Sequence, residues 1–319
     1  MSKVLVLVPF PMSDENLQQR KDQVNAVELG PDIQFDFESV LVAPKNYVSQ
    51  YDLVLADVGM LEAGLNAQER GYDAVCIDTM SDSGVAALRS VLDIPVIGPG
   101  RASMLIAMLL GNRFSIVTMW QHWVHLYEKT IKDLDFSKHC ASVRSVDVRP
   151  DNIGLLGGKE DEIFPLLEEA ARSCIEEDGA DVILLGSTTM HQAHGYLAAR
   201  LPVPVINPGP LSYKMAEMLL GTGLSHSRKA WPKSPAPRDD VLHAMLERGN
   251  EFDSDIEPVW TIKLDWSKPA KKGRVDEAMM KAATCDRTLA LPARYTTYHA
   301  LAKMCSLAIA YGSSGFENA

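Results

Sequence analysis

The sequence predicts an α/β protein of parallel βαβ units, one segment of which is duplicated along the chain. Three observations predict it. Short β-branched runs alternate with helical stretches, the runs are bounded by Gly and Pro, and one pattern of strand, turn, helix, strand and helix occurs twice. In order, KVLVLVPF opens as a strand, and YDLVLADVG and DAVCID read as the second and third. SGVAALRSVL has helical periodicity and leads to the strand IPVIG, the helix ASMLIAMLLG and the strand RFSIVTMW. The second half runs SVRSVDV, the helix EIFPLLEEAARSCIEEDG, the strand ADVILLG, the helix HQAHGYLAARL, the strand VPVIN and the helix LSYKMAEMLLGTG. EEAARSCIEEDG reads as an acidic solvated face. After residue 230 the rhythm stops. KAWPKSPAPRDD, with three prolines, reads as a linker, and AKKGRVDEAMMKAA beyond it as a charged amphipathic helix.

The repeat fixes equivalences. Asp73 matches Asp181 and Thr79 matches Ser187. After small slips, PVIGPG at Pro95 matches PVINPG at Pro204, and MLLG at Met108 matches MLLG at Met218. Thr79 and Ser187 each directly follow a strand, at the carboxyl end where open α/β sheets bind ligands. If the halves pack about a pseudo-two-fold axis, the two hydroxyls face one cleft.

Composition excludes several classes. The 319 residues are 46% hydrophobic and carry a net charge of −11, which repels phosphate backbones and anionic lipid, so no nucleic-acid or membrane partner is expected. The opening apolar run reads as a buried strand rather than a signal peptide, and no run approaches the ~18–20 residues needed to span a bilayer. The five cysteines, Cys76, Cys140, Cys174, Cys285 and Cys305, lack CxxC spacing; this points to reduced thiols in a cytoplasmic protein without a structural zinc site.

The phrases YDAVCIDTMSDSGVAALR, IPVIGPG, GNRFSIVT, CASVRSVDV, GADVILLGSTTM, PVINPG and AEMLLGTGLSHS, spread over roughly residues 45 to 230, resemble the hydantoin/allantoin racemase-like branch of the aspartate/glutamate racemase superfamily. The resemblance implies two pseudo-symmetric flavodoxin-like lobes, each a parallel sheet flanked by helices, with the active site between them, no cofactor and no metal. It also implies a cysteine thiolate from each lobe working on opposite faces of a carbon acid. From it, residues 1–118 with 208–230 are expected to form lobe one, 119–207 lobe two, and 231–319 a linker and C-terminal extension. The expected partners are a small molecule bearing a carboxylate or imide and further copies of the chain in a homo-oligomer.

This sequence departs from the pattern where the chemistry lies. Thr79 and Ser187 stand at the positions matching the two cysteines. Cys76 falls inside a strand and Cys174 on a helix. An alcohol has a pKa several units above a thiol and needs an adjacent base to act as a nucleophile, so two-thiol racemisation is not expected. The hydroxyls, with orphan N–H groups at helix starts, suit a carbonyl or carboxylate cradle instead, though the same residue types also cap helices. Proton transfer then falls to Asp78, Asp82 or His191, with Asp82 also readable as the N-cap of SGVAALR and His191 as a base for Ser187. Ser13, Thr118, Thr188 and Lys214 are further candidate substrate contacts. Within PFPMS after the first strand, Phe10 and Met12 replace expected polar groups. A His191/His194/Asp78 metal site is formally possible, but HxxH spacing is common on helices; WQHW reads as packing at the lobe junction. Three readings stay open: isomerisation on a small carboxylate or cyclic imide, hydrolysis or decarboxylation through Ser187 or a bound water, and an inactive metabolite binder.

Overall fold

The computed structural model describes residues 1–44, 47–149 and 160–252. The helix expected over 270–283 lies outside them. β1 (Ser2–Val8) is the central strand of the first sheet. It pairs in parallel with β2 (Ile33–Ser39) on one side and β3 (Ala74–Ile77) on the other, and β4 (Val96–Ile97) completes the order β2-β1-β3-β4. The second sheet repeats this with β5 (Phe114–Thr118), β6 (Cys140–Ser145), β7 (Val182–Leu185) and β8 (Val205–Ile206) in the order β6-β5-β7-β8, again all parallel.

Parallel strands covered on both faces read as continuous apolar runs. Val4, Leu5, Val6, Leu7 and Val8 are all fully buried. Leu5 and Leu7 pack with Val75 and Ile77 against Met60, Val85 and Leu88, from α2 (Gln50–Gly64) and α3 (Val85–Arg89). Val4, Val6 and Val8 point to the other face, with Cys76, against Tyr213 and Ala216 of α8 (Pro208–Thr222). α4 (Pro99–Leu110) instead packs on β5 and β7, adding Met104 and Ala107 to the core of the second lobe, and lies against α8. Each half therefore covers the other half's sheet with one helix.

This arrangement moves the expected boundary at residue 118. β5 is the central strand of the second sheet, so the first sheet ends with β4 at Ile97. Asp73 and Asp181 show the repeat at atomic level. Asp73 Oδ2 accepts the N–H of Lys3 at the start of β1 at 2.8 Å, and Asp181 Oδ1 accepts that of Arg113, just before β5, at 2.9 Å.

One expected strand is a helix. YDLVLADVG lies in α2, where Ser49 Oγ accepts the N–H of Asp52 at 3.3 Å as N-cap, while Leu53, Ala56 and Met60 turn inward at helical spacing. The true second strand is IQFDFES, an edge strand. The start of the expected linker is also tethered: Arg228 just before it and Lys233 within it both pair with Asp93, at 3.0 and 2.6 Å, and Arg89 lies 5.3 Å from the Trp231 ring. α9 (Asp239–Phe252) follows. Among the described residues no helix is long and apolar enough to cross a membrane.

Candidate functional site

β3 and β7 end one lobe apart, and just beyond each the chain makes the same turn. Ser187 Oγ lies 2.8 Å from Thr189 Oγ1 and accepts the Thr189 N–H at 3.2 Å. Thr79 Oγ1 lies 3.1 Å from Ser81 Oγ and accepts the Ser81 N–H at 3.5 Å. All four hydroxyl residues line one pocket between the lobes, with Thr188, Arg20 and Asp78. Ser81 and Thr189, the second member of each pair, are contacts that the repeat alone did not single out.

Arg20 is the other residue that sequence reading missed. It lies in the last turn of α1 (Asp14–Lys21), a helix so polar that nothing in its pattern marks a buried face. Yet Arg20 is 1% exposed, and its Nη1 donates to Asp78 Oδ2 at 3.1 Å, while Gln23 Nε2 lies 3.4 Å from Asp78 Oδ1. Burial pushes the Asp78 carboxyl above the usual carboxylate range, and Arg20 and Gln23 pull against that. The lobes are joined at this point, where Thr188 Oγ1 donates to the Asp78 backbone carbonyl at 3.1 Å.

The remaining candidates are spread more widely. Ser13 is exposed and caps α1, accepting the Asn16 N–H at 3.3 Å, so it holds the helix that carries Arg20. Asp82 does not cap α3. Its carboxylate takes the N–H groups of Gly100 and Arg101, both at 2.7 Å, and so caps α4. Its backbone has φ 53°, and a Cβ on Gly98 would come within 2.5 Å of its Cγ, which is why glycine precedes that helix. Burial pushes the Asp82 carboxyl up to about 6, against the pull of the two N–H groups.

Thr118 is fully buried beneath the pocket, 2.7 Å from the Tyr127 hydroxyl, which itself donates to the Gly186 carbonyl; Thr118 is therefore the donor to Tyr127. His191 ends the turn that Ser187 begins. It is half-buried, makes no hydrogen bond to Ser187 and does not line the pocket. Burial, with Arg20 nearby, lowers its pKa to about 4. Lys214 lies on the outer face of α8, with Nζ 2.8 Å from the Glu28 carbonyl and paired with Glu217. The far end of the pocket is apolar: Phe10 stacks on Tyr47 at 5.0 Å, and Trp123 and Leu126 close it.

No cysteine among the described residues lines this pocket. Cys76 is fully buried in β3, its Sγ 3.7 Å from the Ser212 carbonyl, and burial pushes its thiol far up. Cys174 is buried in α6 (Glu160–Glu176), and Cys285 and Cys305 lie outside the described residues. Among the described residues no three His, Cys, Asp or Glu side chains gather into a metal-holding group. His194 Nε2 instead meets the Val205 carbonyl at 3.1 Å.

Two four-stranded parallel sheets flanked by helices, the second repeating the first, form the two-lobe α/β racemase fold. The sequence profile described as Asp/Glu/Hydantoin racemase matches residues 15–216. The chain belongs to the Asp/Glu/hydantoin racemase family. It is 30% identical over 212 residues to the hydantoin racemase of Pseudomonas sp. (strain NS671), covering 65% of this chain and 83% of that one. It is 33% identical over 179 residues to the hydantoin racemase of Rhizobium meliloti, covering 56% and 72%. The solved structure of allantoin racemase from Klebsiella pneumoniae is similar with a TM-score of 0.67 at 27% identity, covering 76% of this chain and 99% of that one.

Proposed function

We propose that this chain is a cofactor-independent enzyme that holds a small cyclic imide or carboxylate between its lobes and moves a proton on it without a thiol pair. The observation that carries this reading is the single pocket in which Thr79, Ser81, Ser187 and Thr189 converge with Arg20 and Asp78. Hydroxyl and guanidinium donors suit the oxygens of a carboxylate or of a ring such as those named in the hydantoin and allantoin racemases, and they stabilise the enolate-like charge that develops when a neighbouring carbon loses a proton.

Within that lining, proton chemistry falls to Asp78. Tyr47 and Tyr127 are pushed far above neutrality by burial, and each donates to a backbone carbonyl. Asp82 is engaged as a helix cap and His191 stands outside the pocket. The position equivalent to Asp78 in lobe two is Gly186, where a Cβ would meet Thr118 Cβ at 2.7 Å and the Tyr127 hydroxyl at 2.9 Å. Acid–base capacity therefore sits on one side. A one-base isomerisation or a decarboxylation protonated from the Asp78 side fits this asymmetry better than proton exchange between two opposed groups. Hydrolysis through Ser187 fits poorly, because its partners are the Thr189 hydroxyl and N–H rather than a histidine or carboxylate.

The test is a thermal-shift screen with hydantoins, allantoin and dicarboxylates, followed by polarimetry and CO₂ release on whatever binds. A ligand that binds only the folded chain raises the melting temperature. Binding with turnover abolished in Asp78→Asn supports the reading. Binding with no turnover of any kind by the wild type supports a metabolite binder instead.

A further inference from the structure

Ser81 lines two cavities. One is the pocket between the lobes. The other lies beside it, bounded also by Asp57, Asp82, Ser83 and Lys129. Both cavities are wide enough to admit water.

Three hydroxyls connect them. Thr79 Oγ1 lies 3.1 Å from Ser81 Oγ, which lies 2.9 Å from Ser83 Oγ. Thr79 faces only the pocket and Ser83 only the second cavity; Ser83 is 2% exposed. Ordinary turn chemistry accounts for the first two members, since lobe two has the same pair in Ser187 and Thr189. It does not account for the third. The residue of lobe two equivalent to Ser83 is His191, which makes no bond to Thr189. The continuous chain exists in lobe one alone, the lobe that carries Asp78.

We propose that Thr79, Ser81 and Ser83 form a proton relay between the substrate pocket and solvent in the second cavity. The proposal rests on the reading that Asp78 exchanges protons with a substrate. A protonated Asp78 carboxyl, which shares the pocket lining with Thr79 without bonding to it, releases its proton through pocket water to Thr79 Oγ1. Thr79 passes its own proton to Ser81, Ser81 to Ser83, and Ser83 to water in the second cavity, beside the carboxylates of Asp57 and Asp82. Each hydroxyl ends with one proton, Asp78 returns to carboxylate, and one proton is gained by the water or carboxylate outside. A hydrogen-bonded hydroxyl chain permits this because every member both donates and accepts.

Ser83→Ala removes the outer hydroxyl without altering the pocket lining, and Ser83→Thr retains it. The direct measurement is exchange of the Thr79 and Ser81 hydroxyl protons with solvent, followed by NMR on the unliganded full chain at matched fractions folded. The relay predicts severalfold slower exchange in Ser83→Ala and wild-type exchange in Ser83→Thr; unchanged exchange in Ser83→Ala overturns it. With 5-methylhydantoin as probe in D₂O, deuterium gained per turnover falls in Ser83→Ala while the ligand-induced melting shift is kept, and undiminished deuterium uptake also overturns the relay. Slowed hydroxyl exchange in Ser83→Ala, with no 5-methylhydantoin bound by the wild type, supports the relay and counts against the substrate reading alone.

Discussion

Ser187 Oγ does two things at once: it caps a turn through the Thr189 N–H and presents a hydroxyl to the pocket. Ser187→Ala should cost about 1 kcal/mol of stability, the usual value of a lost cap. If the oxygen also steadies developing charge, turnover should fall by about 10²–10³-fold, as when one oxyanion donor is removed. A melting point lowered by the cap alone, with turnover unchanged, leaves only the structural role. His191 offers a pH test. Its folded pKa of about 4 lies below the ordinary 6.5, so the unfolded chain binds the proton first. Its contribution to stability is complete above about 6.5 and is lost as pH falls toward about 4. Between about pH 7 and about pH 5 the wild type should lose more melting temperature than His191→Gln; equal losses would mean that His191 is not held neutral. His191 was read as a base for Ser187, but the chain passes through the short 3₁₀ turn Thr188–Met190 between them and the imidazole is not part of the pocket lining. Thr79 and Ser187 were legible because the repeat aligned them. Arg20 was not, because its burial arises from a contact with Asp78, 58 residues away in sequence.

At the scale of elements, Asp82 is the clearest case of a distant residue completing a helix. α4 starts at Gly98 without a side-chain cap of its own, and Asp82 supplies two acceptors from the turn after β3. Asp82→Ala should therefore destabilise the chain by about 1–2 kcal/mol, read from denaturant midpoints, while Asp82→Asn keeps one acceptor and loses less. Equal loss in the two variants would mean that charge rather than cap geometry matters. The apolar central strands could be read directly, because burial on both faces leaves little but Val, Leu and Ile. α2 was read as a strand because apolar residues surround it: Tyr51, Val54 and Leu55 stay exposed while Leu53 and Ala56 are buried, so the helical period is blurred. Its true signal was Ser49 followed by Asp52, a cap pattern just before the apolar run. β2 carried a clean alternation in Ile33, Phe35 and Phe37 but, as an edge strand rich in charge, lacked the apolar density of its neighbours.

For the molecule as a whole, the exchange of α4 and α8 between sheets explains why the two half-sites face each other. Each lobe is roofed by a helix from the other half, and these helices pack together next to the pocket. The central claim is that Thr79 and Ser187 hold one ligand from opposite lobes. Calorimetric titration of the wild type, Thr79→Ala, Ser187→Ala and the double variant, with whichever hydantoin, allantoin or dicarboxylate gives the largest melting shift, tests it most directly. The account predicts that each single variant binds more weakly and that the double variant loses less than the two losses added, because both hydroxyls act on one bound molecule. Wild-type affinity in both single variants, or losses that add fully as for separate sites, would contradict it.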